Sequence, residues 1–334
     1  MKKNKSSLTP QEKPKKKNRE QIKVEKQLNR SLTIVPSQTQ QSLGLVSVEP
    51  SSGVWHTDML FTKMLQIDGL VTLPEEKRKE FTNILTDQLN IRVRMSSFIH
   101  DDTADCYLTL FASTNNYAVA KEEFDDVIAL LRSAPVTQLG ISVHEMTVNN
   151  VANLIIATTG RTEQFEVMQH LKNKDDWKKT IFPDYSAKDD SLVYSGHYAS
   201  CYVVTEFPGS IKPFMDSFQN FGCPVYVAAD FEPLDDDSVS SLERLLELKY
   251  NRKIEHKQNH YISMTCLMGF ATESDSMRKM LEKALYSKTD HENIGLSPMS
   301  MQEETGFNSL LSLGFLDFRA ARNVNAGIIH NFIA

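Results

Sequence analysis

The sequence has 334 residues, of which 40% are hydrophobic and 24% are charged, a composition typical of a soluble globular protein with a packed core. The formal net charge of −6 is unevenly distributed, because residues 1–30 hold eleven Lys and Arg against three Glu, which leaves the rest of the chain strongly acidic. No window is long and apolar enough to predict a membrane span, and no apolar segment after the basic start predicts a secretory signal.

Residues 1–30 contain few apolar side chains, which predicts a disordered basic tail because such a segment cannot bury enough surface to offset the entropy of ordering. The tail could contact an anionic membrane surface or nucleic acid by electrostatic attraction, or it could be a solvated extension. The residues that carry this electrostatic hypothesis are Lys13, Lys15, Lys16, Lys17 and Arg19.

The apolar pattern of residues 54–146 predicts the element order β-α-β-β-α-β. A linker rich in Ser, Thr and Gln leads to Gly53, and an apolar strand then ends at Asp68 and Gly69. A helix follows with Pro74 in its first turn, then two strands with alternating apolar residues, and then a second helix that stops before Pro135. The apolar residues of a last alternating strand are Leu139, Ile141 and Val143.

A related pattern restarts near Gly196. A strand, a turn at Pro208 and Gly209, a helix and the strand "PVYVAADF" follow one another. Where the first segment has a short hairpin, residues 235–255 predict a long inserted helix with acidic residues at its start and basic residues towards its end. Another alternating strand and a helix complete the pattern.

This order predicts an α+β protein made of two ferredoxin-like (split βαβ) antiparallel sandwiches. The predicted organisation is a disordered basic tail and linker over 1–53, a first sandwich over 54–146 and a mixed, mostly helical connector over 147–195. A second sandwich with the inserted helix and a C-terminal exit segment follows over 196–334.

Sequence motifs of catalysis are missing. Gly is never followed by Lys, so the phosphate-binding motif G-x-x-x-x-G-K-[ST] is absent, and G-x-G-x-x-G, G-x-S-x-G and H-E-x-x-H are absent as well. We therefore expect no catalytic residue, no cofactor and no metal. The four cysteines form no C-x-x-C pair and are interpreted as small core residues: Cys106, Cys201, Cys223 and Cys266.

Three polar groups are candidate sites with simpler explanations. His256 and His260 are four residues apart, which is a weak metal signal without further ligands. The run Asp235–Asp237 could hold magnesium, but acids at the front of a helix already serve as cap and dipole partners. The pair Asp101–Asp102 between two strands is interpreted as a turn.

Three stretches resemble the amino-terminal part of the conjugative-transfer and type IV secretion ATPases, the CagE/TrbE/VirB family. They are "TKMLQIDGL", "YVVTEFPGSIKPFMDSFQNFGCPVYVAADFEPLD" and "QEETGFNSLLSLGFLDFRAARNVNAGIIHNFIA". Ser312 stands where the family commonly has proline. In the last stretch the matching positions are Gly306, Phe307, Asn308, Leu310, Leu313, Gly314, Arg319, Asn325 and Ala326.

The resemblance implies a non-catalytic scaffolding or docking domain of a conjugative ATPase, without the P-loop motor, at the cytoplasmic face of the cell membrane. The implied partners are type IV secretion channel subunits, a separate ATPase motor chain and further copies of the chain. Candidate contact residues are Arg319, Arg322 and Asn325, together with the exposed face of the 235–255 helix. The alternative is a free-standing nucleic-acid-binding accessory protein that uses its basic tail.

Overall fold

The computed structural model describes residues 45–49, 51–57, 60–88, 91–167, 177–188, 190–206, 218, 220–234, 236–250, 261–299, 303–311 and 322–325. Helices and strands both contribute extensively to these residues, which confirms the α+β class predicted from the sequence. The basic tail over residues 1–30 lies outside the described residues.

The described strands are β1 (Leu45–Glu49), β2 (Val54–Thr57), β3 (Phe61–Asp68), β4 (Val93–His100), β5 (Thr103–Ala112), β6 (Ser142–Glu145), β7 (Tyr185–Lys188), β8 (Ser191–Tyr194), β9 (His197–Glu206), β10 (Val225–Pro233), β11 (Tyr261–Thr272), β12 (Gly295–Pro298) and β13 (Arg322–Asn325). The described helices are α1 (Glu75–Gln88), α2 (Tyr117–Leu131), α3 (Ala134–Thr137), α4 (Val148–Thr158), α5 (Trp177–Ile181), α6 (Asp236–Tyr250), α7 (Asp275–His291) and α8 (Glu303–Leu311).

All thirteen described strands belong to one sheet, in the order β1-β2-β3-β5-β4-β10-β11-β9-β8-β7, with β6 beside β3, β12 beside β9 and β13 beside β11. The pairs of neighbouring strands in the described chain are antiparallel. At the centre, Val93–Ile99 of β4 lie opposite Phe231–Val225 of β10. We call this pairing the seam, because it joins the predicted segments 54–146 and 196–334 into one sheet.

The two halves of the sheet have the same strand order when each is followed from its outer edge towards the seam. In the first half, residues 45–158, the hairpin β1–β2 leads into β3, and β6-β3-β5-β4 are neighbours. In the second half, residues 185–311, the hairpin β7–β8 leads into β9, and β12-β9-β11-β10 are neighbours. Because the corresponding strands β4 and β10 pair antiparallel, the two halves are related by an approximate two-fold rotation.

Helices cover both faces of this sheet. The front layer consists of α1, α2 and α7, whose apolar residues, including Phe81, Phe124 and Leu285, share one buried cluster with the strands. The back layer consists of α4, α5 and α8, and residues such as Ile155 and Phe307 form a second buried cluster on the opposite face. Central strands are therefore buried on both sides, which explains their nearly continuous apolar sequence.

Several helices begin where a polar side chain caps them. Asn116 accepts a hydrogen bond from the backbone N–H of Ala118 at the start of α2. Ser274 accepts one from the backbone N–H of Met277 at the start of α7. Such caps satisfy helix N–H groups that have no partner within the helix, and they fix where each helix leaves the preceding strand.

Two stretches contain more strand than their sequences predict. Residues 45–49 form β1 within the predicted linker, and residues 185–194 form the β7–β8 hairpin within the predicted helical connector. Each hairpin has strands of only four or five residues, too short for a clear alternation, and each is held by pairing with β3 or β9.

Candidate functional site

A buried ion cluster crosses the seam on the back face. The side chain of Arg94 is 1% exposed, and its Nε donates to Oδ1 of Asp230 at 2.5 Å. Arg92 donates from Nη2 to Oδ2 of the same carboxylate at 2.6 Å. Both guanidinium groups also lie over the ring of Phe111, with Cζ 5.4 Å and 6.0 Å from the ring centroid for Arg92 and Arg94. The cluster therefore binds one half to the other.

The helix α8 covers this cluster. Nη1 of Arg94 donates to the backbone oxygen of Leu310 at 3.4 Å, near the C-terminal end of α8, where the helix dipole favours a cation. Tyr194 donates from its hydroxyl to Oδ1 of Asn308 at 3.0 Å. Under the helix, a Cβ on Gly269 of β11 would lie 2.7 Å from a methyl carbon of Leu310. The close approach of α8 to the sheet therefore depends on glycine at this position.

A second buried arginine organises the outer side of the second half. Arg278 of α7 donates to Glu282 at 2.6 Å and to Asp190, in the β7–β8 turn, at 2.9 Å. Glu282 also accepts hydrogen bonds from the hydroxyl groups of Ser200 and Tyr202. Burial, reinforced by the negative charge of Glu282, raises the pKa of Tyr202. The cluster fastens the hairpin and α7 to β9.

A cleft of about 700 Å³ opens between the two halves at the end of β4. One wall is the stretch after α4, where Asn153 accepts a hydrogen bond from the backbone N–H of Phe165 at 2.7 Å. The other wall is the segment that precedes β10. There the backbone N–H of Asn220 donates to the backbone oxygen of Asp101 at 3.1 Å, and its side-chain amide donates to Oδ1 of Asp102 at 2.8 Å. Residues from both halves thus form the walls of the cleft.

The lining of the cleft combines an apolar floor with a polar rim. Three carboxylates stand at the rim, Asp101, Glu163 and Glu273. Arg161 is buried and donates to Glu163 and to the last backbone oxygens of α5, at Thr180 and Ile181. Because these acceptors occupy the Arg161 guanidinium, the rim presents mainly negative charge. The apolar lining residues are Phe98, Ala157, Pro224, Ala271 and Met277.

The cysteines are free thiols, and Cys106, Cys201 and Cys266 are buried as predicted for core residues. Cys223 is partly exposed and lines the cleft. Burial raises the pKa of Cys223 to about 12 and that of Cys106 also to about 12. Thiols with such a raised pKa remain protonated at neutral pH, so neither is an activated nucleophile.

The inserted helix α6 presents apolar side chains to solvent. Leu245 is 64% exposed and Leu248 is 73% exposed, three residues apart on one side of the helix. Glu243 of the same helix is buried. Burial raises the pKa of Tyr261 in β11, and the negative charge of Glu243 raises it further. The helix thus has one face against the body and another that offers leucines to solvent.

The structure places only part of the predicted contact set. Arg322 and Asn325 lie on β13, opposite Met264 and Tyr261 of β11. Arg319 and the tail residues lie outside the described residues. The tail residues in question are Lys13, Lys15, Lys16, Lys17 and Arg19.

The structure also shows where some of the other polar groups named from the sequence lie. Asp236 and Asp237 occupy the exposed first turn of α6, while Asp235, His256 and His260 lie outside the described residues. Asp101 is in the β4–β5 turn, with a φ of 47°. Among the described residues no group of three or more His, Cys, Asp or Glu side chains is arranged to hold a metal ion.

Sequence reasoning did not find the seam cluster or the cleft. The alternating pattern places Arg92 and Arg94 between the apolar residues of a predicted strand, and it gives Asp230 no role. A signal for the cluster was present in the opposite charges at polar positions of two otherwise apolar strands. The cleft left no comparable signal, because its lining comes from segments that are distant in sequence.

No helix in the described part of the chain is both long and apolar enough to cross a lipid bilayer. This finding concerns only the ranges given above.

Comparisons with known proteins give little similarity. No model of a known protein family matches the chain, and no curated protein matches it. Among solved structures, the chain is similar to a variant of berberine bridge enzyme at 8% identity and a TM-score of 0.26, over 69% of this chain and 41% of that one. A likeness of this extent carries no argument about fold or function.

Proposed function

We propose that this chain is a scaffolding and docking body of a conjugative DNA-transfer (type IV secretion) ATPase of the CagE/TrbE/VirB type. In this proposal the chain performs no bond-making step itself. It holds channel subunits and an ATPase motor, supplied on the same polypeptide or as a separate chain, at the cytoplasmic face of the cell membrane. Further copies of the chain would assemble beside it.

The observation that carries the proposal is the anchoring of the segment that resembles the family's exit segment. Within that segment, α8 buries Phe307, Asn308 and Leu310 against the sheet beside the seam. Further on, β13 pairs with the first residues of β11. An exit segment attached by both packing and strand pairing would hold a following or neighbouring motor in a defined position, as a scaffold requires.

The finer fold prediction belongs to the same proposal. We infer that each half is a variant of the split βαβ sandwich, with the back layer added to it. The strand orders β6-β3-β5-β4 and β12-β9-β11-β10 support this inference, because each places the first and third strands of the βαββαβ pattern in the middle.

The exposed leucines of α6 are the proposed contact with channel subunits. Large apolar side chains that stand together on a helix surface are typical of protein interaction sites, since their burial in a complex is favourable. Leu245 and Leu248 have this arrangement, and they lie in the helix that the sequence indicates for partner contacts. Met280 of α7 is exposed to a similar degree, 61%, but stands on another element and provides a control.

The test is affinity purification of the tagged full-length chain from donor cells that carry the conjugation system. We expect the wild-type chain to recover channel subunits or a motor chain. The double variant L245E/L248E should recover at least tenfold less, whereas M280E should recover the wild-type amount. Recovery of neither class of partner by the wild-type chain would overturn the proposal, and equal recovery by L245E/L248E would overturn the assignment of the surface.

A further inference from the structure

The cleft between the halves has the dimensions and the chemistry of a binding site. Its volume of about 700 Å³ lies within the range of ligand pockets, and it combines an apolar floor with polar groups at the rim. The rim carboxylates, Asp101, Glu163 and Glu273, are exposed, and the guanidinium of Arg161 is occupied by its own partners. This combination favours a ligand that has both cationic and apolar side chains.

The two halves differ in the connection that corresponds to the β4–β5 turn beside the cleft. The turn between β4 and β5 has only two residues, Asp101 and Asp102. The corresponding connection in the second half, between β10 and β11, includes the whole helix α6. Among the described residues, the first half has no counterpart of α6 at the end of the sheet where the cleft opens.

We propose that the cleft binds residues 19–30 of this same chain. This segment, "REQIKVEKQLNR", carries two kinds of side chain that match the lining of the cleft. Its cationic residues, which would meet the rim carboxylates, are Arg19, Lys23, Lys26 and Arg30. Its apolar residues, which would meet the floor, are Ile22, Val24 and Leu28.

Charge and shape together select the cleft over other acidic surfaces. The first 30 residues carry eleven Lys and Arg against three Glu, and the rest of the chain is acidic. A single exposed ion pair stabilises only weakly, so exposed carboxylates such as those on α2 would retain the segment poorly. In the cleft, the aliphatic stems of Lys and Arg can also lie on the apolar floor while their charged ends reach the rim.

The chain between the proposed ligand segment and β1 is long enough for the segment to reach the cleft. Residues 31–44 lie between the proposed ligand segment and β1, and 14 extended residues reach at most about 48 Å. In the sheet, β1 is four strand spacings from β4, which is about 19 Å. The segment can therefore reach the cleft of its own molecule, and this inference does not depend on the proposed role in conjugation.

The test is limited trypsin digestion of the full-length protein, because trypsin cleaves after Lys23 and Lys26 when the segment is free. We expect cleavage at these positions at low salt to be at least tenfold slower in the wild type than in the variant D101N/E163Q/E273Q. Raising the ionic strength should remove the difference, because salt screens the charge pairs. Asn at position 101 is chosen because it tolerates the left-handed backbone there.

The matched control neutralises three exposed carboxylates away from the cleft, in the variant E76Q/E122Q/D126N. This control should be cleaved at the wild-type rate, within about twofold. Equal cleavage of the wild type and the cleft variant would overturn the proposal. Protection that grows with protein concentration would also overturn it, because the occupant would then come from a second copy. Thermal unfolding of each variant checks that its fold is intact.

Discussion

At the scale of single residues, Arg94 is a charge held in a buried position at the seam. Its guanidinium is surrounded by the carboxylate of Asp230, the ring of Phe111 and the end of α8. A charge removed from water in this way is tolerated only when a partner charge and hydrogen bonds replace the lost hydration. The pair is therefore costly to break from one side, even though an apolar pair of similar shape could be as stable.

Replacing Asp230 by Asn should lower the free energy of unfolding by about 3–5 kcal/mol, because the buried guanidinium of Arg94 and the partly buried one of Arg92 then lose their carboxylate. Urea denaturation of the purified protein measures this change. The control is D125N on α2, which breaks the exposed ion pair with Lys121 and should change stability by less than about 1 kcal/mol. A loss below about 1 kcal/mol for D230N would contradict the assignment of the seam cluster as a buried ion pair.

A second residue-scale prediction concerns alkaline pH. Burial raises the pKa of Cys106 to about 12 from its ordinary value of 9.0, so above pH 9 the unfolded chain releases this proton and the folded chain retains it. The contribution to stability is present below pH 9 and is lost as the pH rises towards 12. The expected slope is about −1.4 kcal/mol per pH unit for this thiol.

Urea denaturation of the wild type and of C106A at a series of pH values from about 9 to about 11 measures that contribution. The variant should be less stable at neutral pH because it leaves a cavity, but its stability should fall less steeply with pH. Parallel curves for the two proteins would contradict the prediction.

At the scale of elements, α8 is the helix whose position depends most on one small residue. The back face of β11 accepts the helix at Gly269, where an added Cβ would lie 2.7 Å from the end of Leu310 and 2.9 Å from the backbone oxygen of Ser200. The contact with the backbone oxygen cannot be relieved by a change of side-chain rotamer. Any larger residue must therefore displace α8 or the strand.

The variant G269A should lose about 1–3 kcal/mol of stability, the usual effect of overpacking a dense core. In the L310A background, G269A should still destabilise, though by less than in the wild-type background, because the clash with the Ser200 oxygen remains. Hydrogen exchange of residues 303–311 should accelerate in G269A more than that of α1, which lies on the opposite face and serves as the control. If G269A cost no stability in the L310A background, the contact with the backbone oxygen would not matter.

Elements with a long and regular pattern could be predicted from the sequence, and short ones could not. The strand β9 and the helix α7 extend over ten and 17 residues, and their apolar periodicity is clear. In contrast, β7 and β8 have four residues each and exist because β9 offers them a partner. A sequence pattern also does not reveal that α8 covers the face of β4 that carries Arg94.

At the scale of the whole molecule, the seam makes two similar halves into one sheet. Arg94 and Asp230 are 136 positions apart in the sequence, so this pairing depends on contacts that neither half makes by itself. The candidate cleft has the same origin, since its walls come from both halves. Local sequence patterns do not show which strands meet, so the opposite charges on β4 and β10 were not matched to each other and the cleft was not predicted.

Because the sheet and its ion cluster are shared, the described halves should unfold together. We expect the urea transitions measured by far-UV circular dichroism and by tryptophan fluorescence to coincide, with fluorescence measured in a W177F background so that Trp55, buried in the first half, is the remaining tryptophan. In D230N the two transitions should separate, because one half can then lose its structure before the other. Separate transitions in the wild type would contradict the view that the seam couples the halves.

The opposite charges on β4 and β10 also determine which edges recognise each other. If two copies of the first half paired edge to edge, arginines would face arginines and no aspartate would neutralise them. If two copies of the second half paired, aspartates would face each other without an arginine. Only the mixed pair neutralises both. If the two halves were produced as separate polypeptides, they should combine one to one and reject their own kind, as size-exclusion chromatography of the mixture and of each part would reveal.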